Sequence, residues 1–251
     1  MLAPASPAKG MTQTASTLDS LRQRYEAVRG RIEASKQLCG RDREEISLIA
    51  VTKTHPVETV RLALSLGLRD FGENRVQEAE SKIESLSGSG ARWHLIGPLQ
   101  ANKARRAVKL FDVIHSLDSV SLSLRLDRLC IEEGRTRLPV MIQLDLAGEE
   151  TKSGVAESEL QTVVNAVADC ERLSLVGLMT LPPYFEDPER ARPFFRRLRE
   201  LRDTLRRQQQ FGDSAGELSM GMTHDFEVAI EEGATMLRIG TAIFGQRDRA
   251  D

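Results

Sequence analysis

A lysine at the end of an apolar run is the residue in this sequence best placed for covalent chemistry. Lys53 directly follows Ile-Ser-Leu-Ile-Ala-Val-Thr at 46–52, a run whose length and composition predict a buried strand. Burial disfavours the ammonium form, so a desolvated lysine there is a nucleophilic amine suited to Schiff-base chemistry. The competing reading is a long side chain whose stem lies on apolar surface while its charge reaches water. Two later loops suggest what such an amine would meet. Ser219-Met220-Gly221-Met222-Thr223 precedes a helical segment, with Thr223 as its expected N-cap, and Arg238-Ile239-Gly240-Thr241 ends the run at 235–240. Glycine lets backbone approach a ligand and a helix start offers unpaired amides, so together the loops read as an anion cradle. Taken alone, a serine before a helix is more often a cap. A nucleophilic lysine facing a phosphate site points to a phosphorylated aldehyde.

The elements that must hold these groups are short apolar runs at 46–52, 68–72, 92–97, 111–116, 138–146, 173–180, 217–220 and 235–240, separated by segments of helical period. Strand, helix, strand repeated in this way gives parallel pairing through right-handed crossovers. Eight repeats predict a closed (β/α)8 TIM-type barrel, with a helix from Thr17 to Leu38 supplying the eighth outer helix. Such a barrel carries its active groups at the C-terminal ends of its strands. An open doubly wound sheet is the alternative, and its Gly-x-Gly-x-x-Gly loop after the first strand is missing. Residues 1–14, rich in Pro, Ala, Ser and Thr, are expected to form a disordered tail, and 15–251 a single domain.

Other strand ends add polar candidates. Asn74 follows the second run and is placed to bond a ring substituent. His94 lies within the third run, as a core residue or a functional one; His55 is expected to be exposed. His115 and His224 have no metal-pair spacing. Asp145 and Glu149 form an acid/base pair by position only, against a solvated rim. Gly-x-Ser-x-Gly, Gly-Lys-Ser/Thr and His-Glu-x-x-His are all missing, which removes the usual support for hydrolase, nucleotidase and zinc chemistry.

Composition narrows the partners. With 35 Lys plus Arg against 37 Asp plus Glu the net charge is -2, giving no global attraction to nucleic acid or anionic membrane. Seven arginines fall between Arg192 and Arg207, but Phe195, Leu198, Leu201 and Leu205 make an apolar stripe among them. The segment therefore reads as the solvated face of an outer helix. Cys39, Cys130 and Cys170 lack pair spacings and read as reduced cytoplasmic thiols, and no run is long enough to span a membrane.

The strings LIAVTKTHP, FGENRVQE, WHLIGPLQANK, HSLD, ETKSG, GLMTLPP and LSMGMTHDFEVAIEEGATMLRIGTAIFG, spread over about 46–247, resemble the successive motifs of the pyridoxal phosphate homeostasis proteins. The resemblance implies a fold type III barrel that binds pyridoxal 5'-phosphate. Lys53 would then hold the cofactor aldehyde as a Schiff base. Ser219, the amides around Gly221, and Gly240 with Thr241 would hold the phosphate; Arg238 would face the pyridine nitrogen and Asn74 the ring hydroxyl. Thr52 and Thr223 stand where the family often has serine, and both keep the hydroxyl. A guanidinium facing the nitrogen keeps its proton, so the ring is a poor electron sink.

Three functions follow. The first is a non-catalytic, monomeric binder that buffers pyridoxal phosphate in the cytoplasm or delivers it to client enzymes. The second is an amino-acid racemase or decarboxylase, since the same barrel resembles the N-terminal domain of alanine racemases. The third is a Schiff-base aldolase acting on a sugar phosphate. A racemase needs a second base; Tyr25 reads as helix packing, leaving Tyr184 as the tyrosine able to reach the mouth, and the chain shows no added domain to close over it.

Overall fold

The computed structural model describes residues 9–148 and 153–246, with the side chains of the first helix described from residue 17 onward. All eight apolar runs become strands: β1 Ser47–Val51, β2 Asp70–Glu73, β3 Arg92–Leu95, β4 Val113–Leu117, β5 Leu138–Asp145, β6 Leu173–Thr180, β7 Glu217–Ser219 and β8 Met236–Ile239. Each pairs in parallel with the next, and β8 pairs back on β1 from Ser47↔Met236 to Ala50↔Ile239, which closes the ring. A two-residue strand, Val155–Ala156, adds to the edge of β5. The expected barrel is therefore present.

The crossovers are α2 Val57–Ser65, α3 Val76–Ser85, α4 Ala104–Leu110, α5 Val120–Glu132, α6 Leu160–Ala168, α7 Arg192–Arg207 and α8 Phe226–Glu231, and α9 Thr241–Phe244 follows β8. Before them α1, Lys9–Leu38, packs on α8 and α9, where Arg24 Nε donates to the Ile243 carbonyl at 2.8 Å. It fills the eighth outer position as expected, but starts at Lys9 rather than Thr17. No proline lies between Pro7 and Pro56 to stop the helix. Helical backbone thus covers 9–14 of the segment read as tail; residues 1–8, and the acid/base candidate Glu149, lie outside the described residues.

Alternation along the strands sorts the core into two compartments. Leu48, Ala50, Leu237 and Ile239 face the helices and join the main apolar cluster, whereas Ile49, Met141 and Met236, with Val176 against them, form a small separate cluster in the lumen. On α7, Phe195, Leu198 and Leu205 are buried. Its arginines pair outward: Arg192, Arg196 and Arg199 converge on Glu232, whose side chain is only 5% exposed. That is the solvated-face arrangement expected of the arginine-rich segment. Among the described residues no helix is long and apolar enough to cross a membrane.

Candidate functional site

Lys53 emerges from the C-terminal end of β1 into a cavity of about 300 Å³. The cavity is at the small end of ligand pockets and suits one substituted ring. Asn74, Tyr184, Met222, Thr223, Arg238, Gly240 and Thr241 share its wall with Lys53 and His55, and Val51, Ile96 and Leu181 supply apolar surface. The structure thus gathers Lys53, Asn74, Arg238, Gly240 and Thr241, drawn from three different strand ends, at one mouth. Lys53 itself is half-buried.

The lysine's backbone is pinned on both sides. Thr52 Oγ1 donates to Glu73 Oε1 at 2.6 Å, and the Thr52 carbonyl accepts from Lys82 Nζ at 2.8 Å. Lys82, reaching in from α3, also meets Glu73 Oε1 at 2.8 Å and Glu78 Oε1 at 3.1 Å, and Thr54 donates its backbone N–H to Glu78. Thr54 has φ 67°, a strained setting for a β-branched residue that costs about 1–3 kcal/mol unless its surroundings enforce it. Burial pushes the Glu73 carboxyl above its ordinary value, against the hydrogen bonds from Lys82 and Thr52. Its other oxygen, Oε2, is buried without a partner. None of Glu73, Glu78 or Lys82 was singled out by the sequence. Glu73 closes a strand, and the helical four-residue step from Glu78 to Lys82 was the available signal.

Across the cavity, Arg238 is buried and donates to Ser219 Oγ at 2.6 Å and to the Thr180 carbonyl at 2.8 Å. No carboxylate lies within ion-pair distance of it among the described residues. Desolvation lowers its pKa to about 10, with Asp225 opposing, so the guanidinium stays charged at neutral pH and can only donate.

Two sequence expectations for the anion loops change. Ser219 does not line the cavity: strand alternation turns its side chain into the lumen, where its hydroxyl bonds both Arg238 and His115. Gly221 is buried behind the wall; at φ 91° its carbonyl accepts from Arg238 N at 3.0 Å, and a Cβ would lie 2.7 Å from that of Ala229. It lets the loop press against α8 and β8. Thr223 does face the cavity, but it is not the cap of α8. Asp225 takes the N-cap position and its carboxylate accepts from Met222 N at 2.6 Å, while Thr223 Oγ1 accepts from Ala242 N at 3.4 Å and ties the two loops together.

The histidines also differ from expectation. His55 is half-buried, 5.1 Å from the Phe244 ring, rather than exposed. His224 lies 5.3 Å from the Tyr184 ring, which is 77% exposed at the rim. His94 and His115, read separately in the sequence, are hydrogen-bonded neighbours at 2.9 Å because β3 and β4 are adjacent.

Comparison with known proteins places the chain in a lineage. The family model described as alanine racemase, N-terminal domain, matches residues 17–248. A pyridoxal phosphate homeostasis protein of Aquifex aeolicus is 42% identical over 90% of this chain and 97% of its own length, and that of Escherichia coli 40% identical over 88% and 94%. The chain belongs to the pyridoxal phosphate homeostasis protein family. Within that family, the structure of PipY from Synechococcus elongatus with PLP bound superposes with a TM-score of 0.77 at 36% identity, covering 90% of this chain and all of that one. Outside it, an alanine racemase of Clostridium difficile shares the fold, with a TM-score of 0.70 at 16% identity over 93% of this chain and 61% of the racemase.

Proposed function

We propose that this chain binds pyridoxal 5'-phosphate and keeps it in reserve for other enzymes, without robust catalysis of its own. The observation that carries the reading is a buried guanidinium with no carboxylate partner among the described residues, set in the floor of a one-ring cavity whose wall holds a half-buried lysine. That donor set fits a ring acceptor at one end and an aldehyde at the other. When bound, the cofactor supplies an aldehyde that condenses with a primary amine, and a conjugated ring.

Lys53 supplies the amine, and the clamps on Thr52 and Thr54 hold it at the cavity wall. Arg238 donates to the ring nitrogen and, keeping its own proton, leaves that nitrogen unprotonated; this disfavours carbanion chemistry and favours storage. Asn74 bonds the ring hydroxyl. At the anion end, Thr223, Gly240 and Thr241 line the cavity and receive the phosphate; Ser219, occupied by His115 and Arg238, supports Arg238 instead. The barrel works as a cytoplasmic monomer and exchanges its cofactor with pyridoxal phosphate enzymes.

The test is the absorption spectrum of the purified chain with added pyridoxal phosphate, then borohydride reduction and peptide mapping. A visible band trapped on Lys53 is expected, and its loss in Lys53→Ala. No band refutes binding, and a label on Lys103 or Lys152 refutes the role of Lys53. Steady amino-acid turnover lost in Tyr184→Phe would make the protein a racemase, and light scattering showing a dimer would correct the monomer.

A further inference from the structure

A chain of hydrogen bonds runs through the barrel lumen and uses polar residues that cofactor binding leaves unexplained. Arg238 Nη1 donates to Ser219 Oγ at 2.6 Å, and Ser219 Oγ lies 2.9 Å from His115 Nδ1. His115 Nε2 is 2.9 Å from His94 Nδ1, and His94 Nε2 is 2.9 Å from Asp70 Oδ1. The four inner residues are almost completely buried, whereas Asp70, first in β2, is partly open at the N-terminal mouth with Arg92 3.9 Å away. The lumen neighbours from β1 and β5, Ile49 and Met141, are apolar. Among the described residues the charges acting at the two ends are Arg92 beside Asp70 and Asp225 near Arg238, and alternation puts Glu217 of β7, two residues before Ser219, on the same inward face.

Elementary donor and acceptor rules give the chain a direction. Burial pushes the Asp70 carboxyl up, but the hydrogen bond from His94 and the charge of Arg92 act against it and the net is a lowering. Asp70 is therefore an ionised acceptor, and His94 Nε2 carries a hydrogen. Burial, with the charges of Arg238 and Arg92 adding to it, holds His115 well below its ordinary value, so it is neutral with one ring hydrogen. Arg238 can only donate, which directs the Ser219 hydroxyl hydrogen to His115 Nδ1. The His115 hydrogen then sits on Nε2, and His94 Nδ1 is a bare acceptor. Every atom is satisfied and all four donors point toward Asp70. The reverse tautomer of His115 fails: with its hydrogen on Nδ1, the Ser219 oxygen would receive two donors and its own hydrogen would lose its acceptor, while His115 Nε2 and His94 Nδ1 would face each other bare.

We infer that Asp70, His94, His115 and Ser219 are positioning residues that hold the Arg238 guanidinium at the cavity and tie its setting to the carboxylate at the opposite mouth of the barrel. The functional consequence rests on the proposed cofactor site, but the chain is a property of the cofactor-free protein and is tested there first.

Long-range proton–nitrogen NMR of the full chain with labelled histidine, at about pH 8, is expected to show both imidazoles neutral and protonated on Nε2. In Asp70→Leu, which removes the terminal acceptor, that uniform Nε2–H pattern should break into mixed tautomers, whereas Asp70→Asn, which keeps an acceptor, should retain it. His115 protonated on Nδ1, a charged His115, or an unchanged pattern in Asp70→Leu would each overturn the inference. With pyridoxal phosphate added, Ser219→Ala should weaken retention about tenfold and shift the absorption band, and Ser219→Thr should restore both. Unchanged retention and spectrum in Ser219→Ala, with wild type binding normally, sinks the inference and leaves the proposed function standing. If wild type takes up no cofactor, the proposed function fails and the NMR tautomers alone decide the chain.

Discussion

Replacing Lys82 by methionine is the sharpest test of how the strand end beneath Lys53 is held. The side chains of Lys82 and Glu73 are 6% and 0% exposed, and the ammonium makes three bonds, to the Thr52 carbonyl, Glu73 and Glu78. Methionine fills the volume but strands the Glu73 carboxylate, whose Oε2 has no partner even now. Removing one member of a buried pair costs about 3–5 kcal/mol. For a chain of this length that corresponds to a melting point lower by about 6–20 °C. The deficit should depend on pH in a defined sense. Burial already raises Glu73, and losing its cation raises it further. A carboxyl raised in the folded state supports folding below the unfolded value, about 4.3, and loses that support as pH rises through the folded value. The gap to wild type should therefore widen from about pH 5 toward about pH 8. Adding Glu73→Gln removes the buried charge and should recover about 2–3 kcal/mol while abolishing the slope. Urea midpoints at constant m measure all of this. A Lys82→Met deficit under about 1 kcal/mol at neutral pH, or a double variant equal to the sum of the singles, would refute the clamp.

Three further outcomes follow from the same geometry. A Cβ at Gly97 would collide with the backbone of Asn74, whereas one at Gly30 in α1 meets nothing; Gly97→Ala should unfold more easily and load less cofactor, and Gly30→Ala should gain about 0.5–1 kcal/mol by urea titration. The buried Glu232 is pushed up by desolvation, but Arg196, Arg192 and Arg199 outweigh this and depress it. It therefore stabilises the fold above the ordinary carboxylate range, and that support is lost as pH falls through its depressed value. Glu232→Gln should cost about 1–2 kcal/mol near pH 7, with the difference from wild type closing in acid. Burial raises the Cys130 thiol to about 11, so iodoacetamide near pH 8 should leave it unmodified in the native chain; rapid stoichiometric labelling there would show that the α5 face opens.

The barrel was legible because each of its strands is a short apolar run bounded by helical period, and the strand-end rule then gathered Lys53, Asn74, Arg238, Gly240 and Thr241 from distant segments. Ser219 shows where that rule stops. It lies at a strand end and in a glycine loop, yet the face its side chain takes depends on strand alternation, which a three-residue strand expresses too weakly to read. His94 and His115 needed the adjacency of β3 and β4 as well as a shared inward face. The Thr52, Glu73 and Lys82 cluster joins a strand end to the flank of a crossover helix, and the four-residue step from Glu78 to Lys82 marks the helix pair without signalling its contact with that strand end.

The link between His115 and Ser219 joins β4 to β7, two strands that are not neighbours in the ring, so it spans the lumen. A cut between β4 and β5 would leave one half with an imidazole nitrogen facing emptiness and the other with a serine hydroxyl that has lost its acceptor. Neither half could keep its interior dry. As a component for engineering, this barrel is therefore indivisible at its midpoint: split fragments should complement each other only by assembling the whole circuit, and a lone half has no route to a native interior.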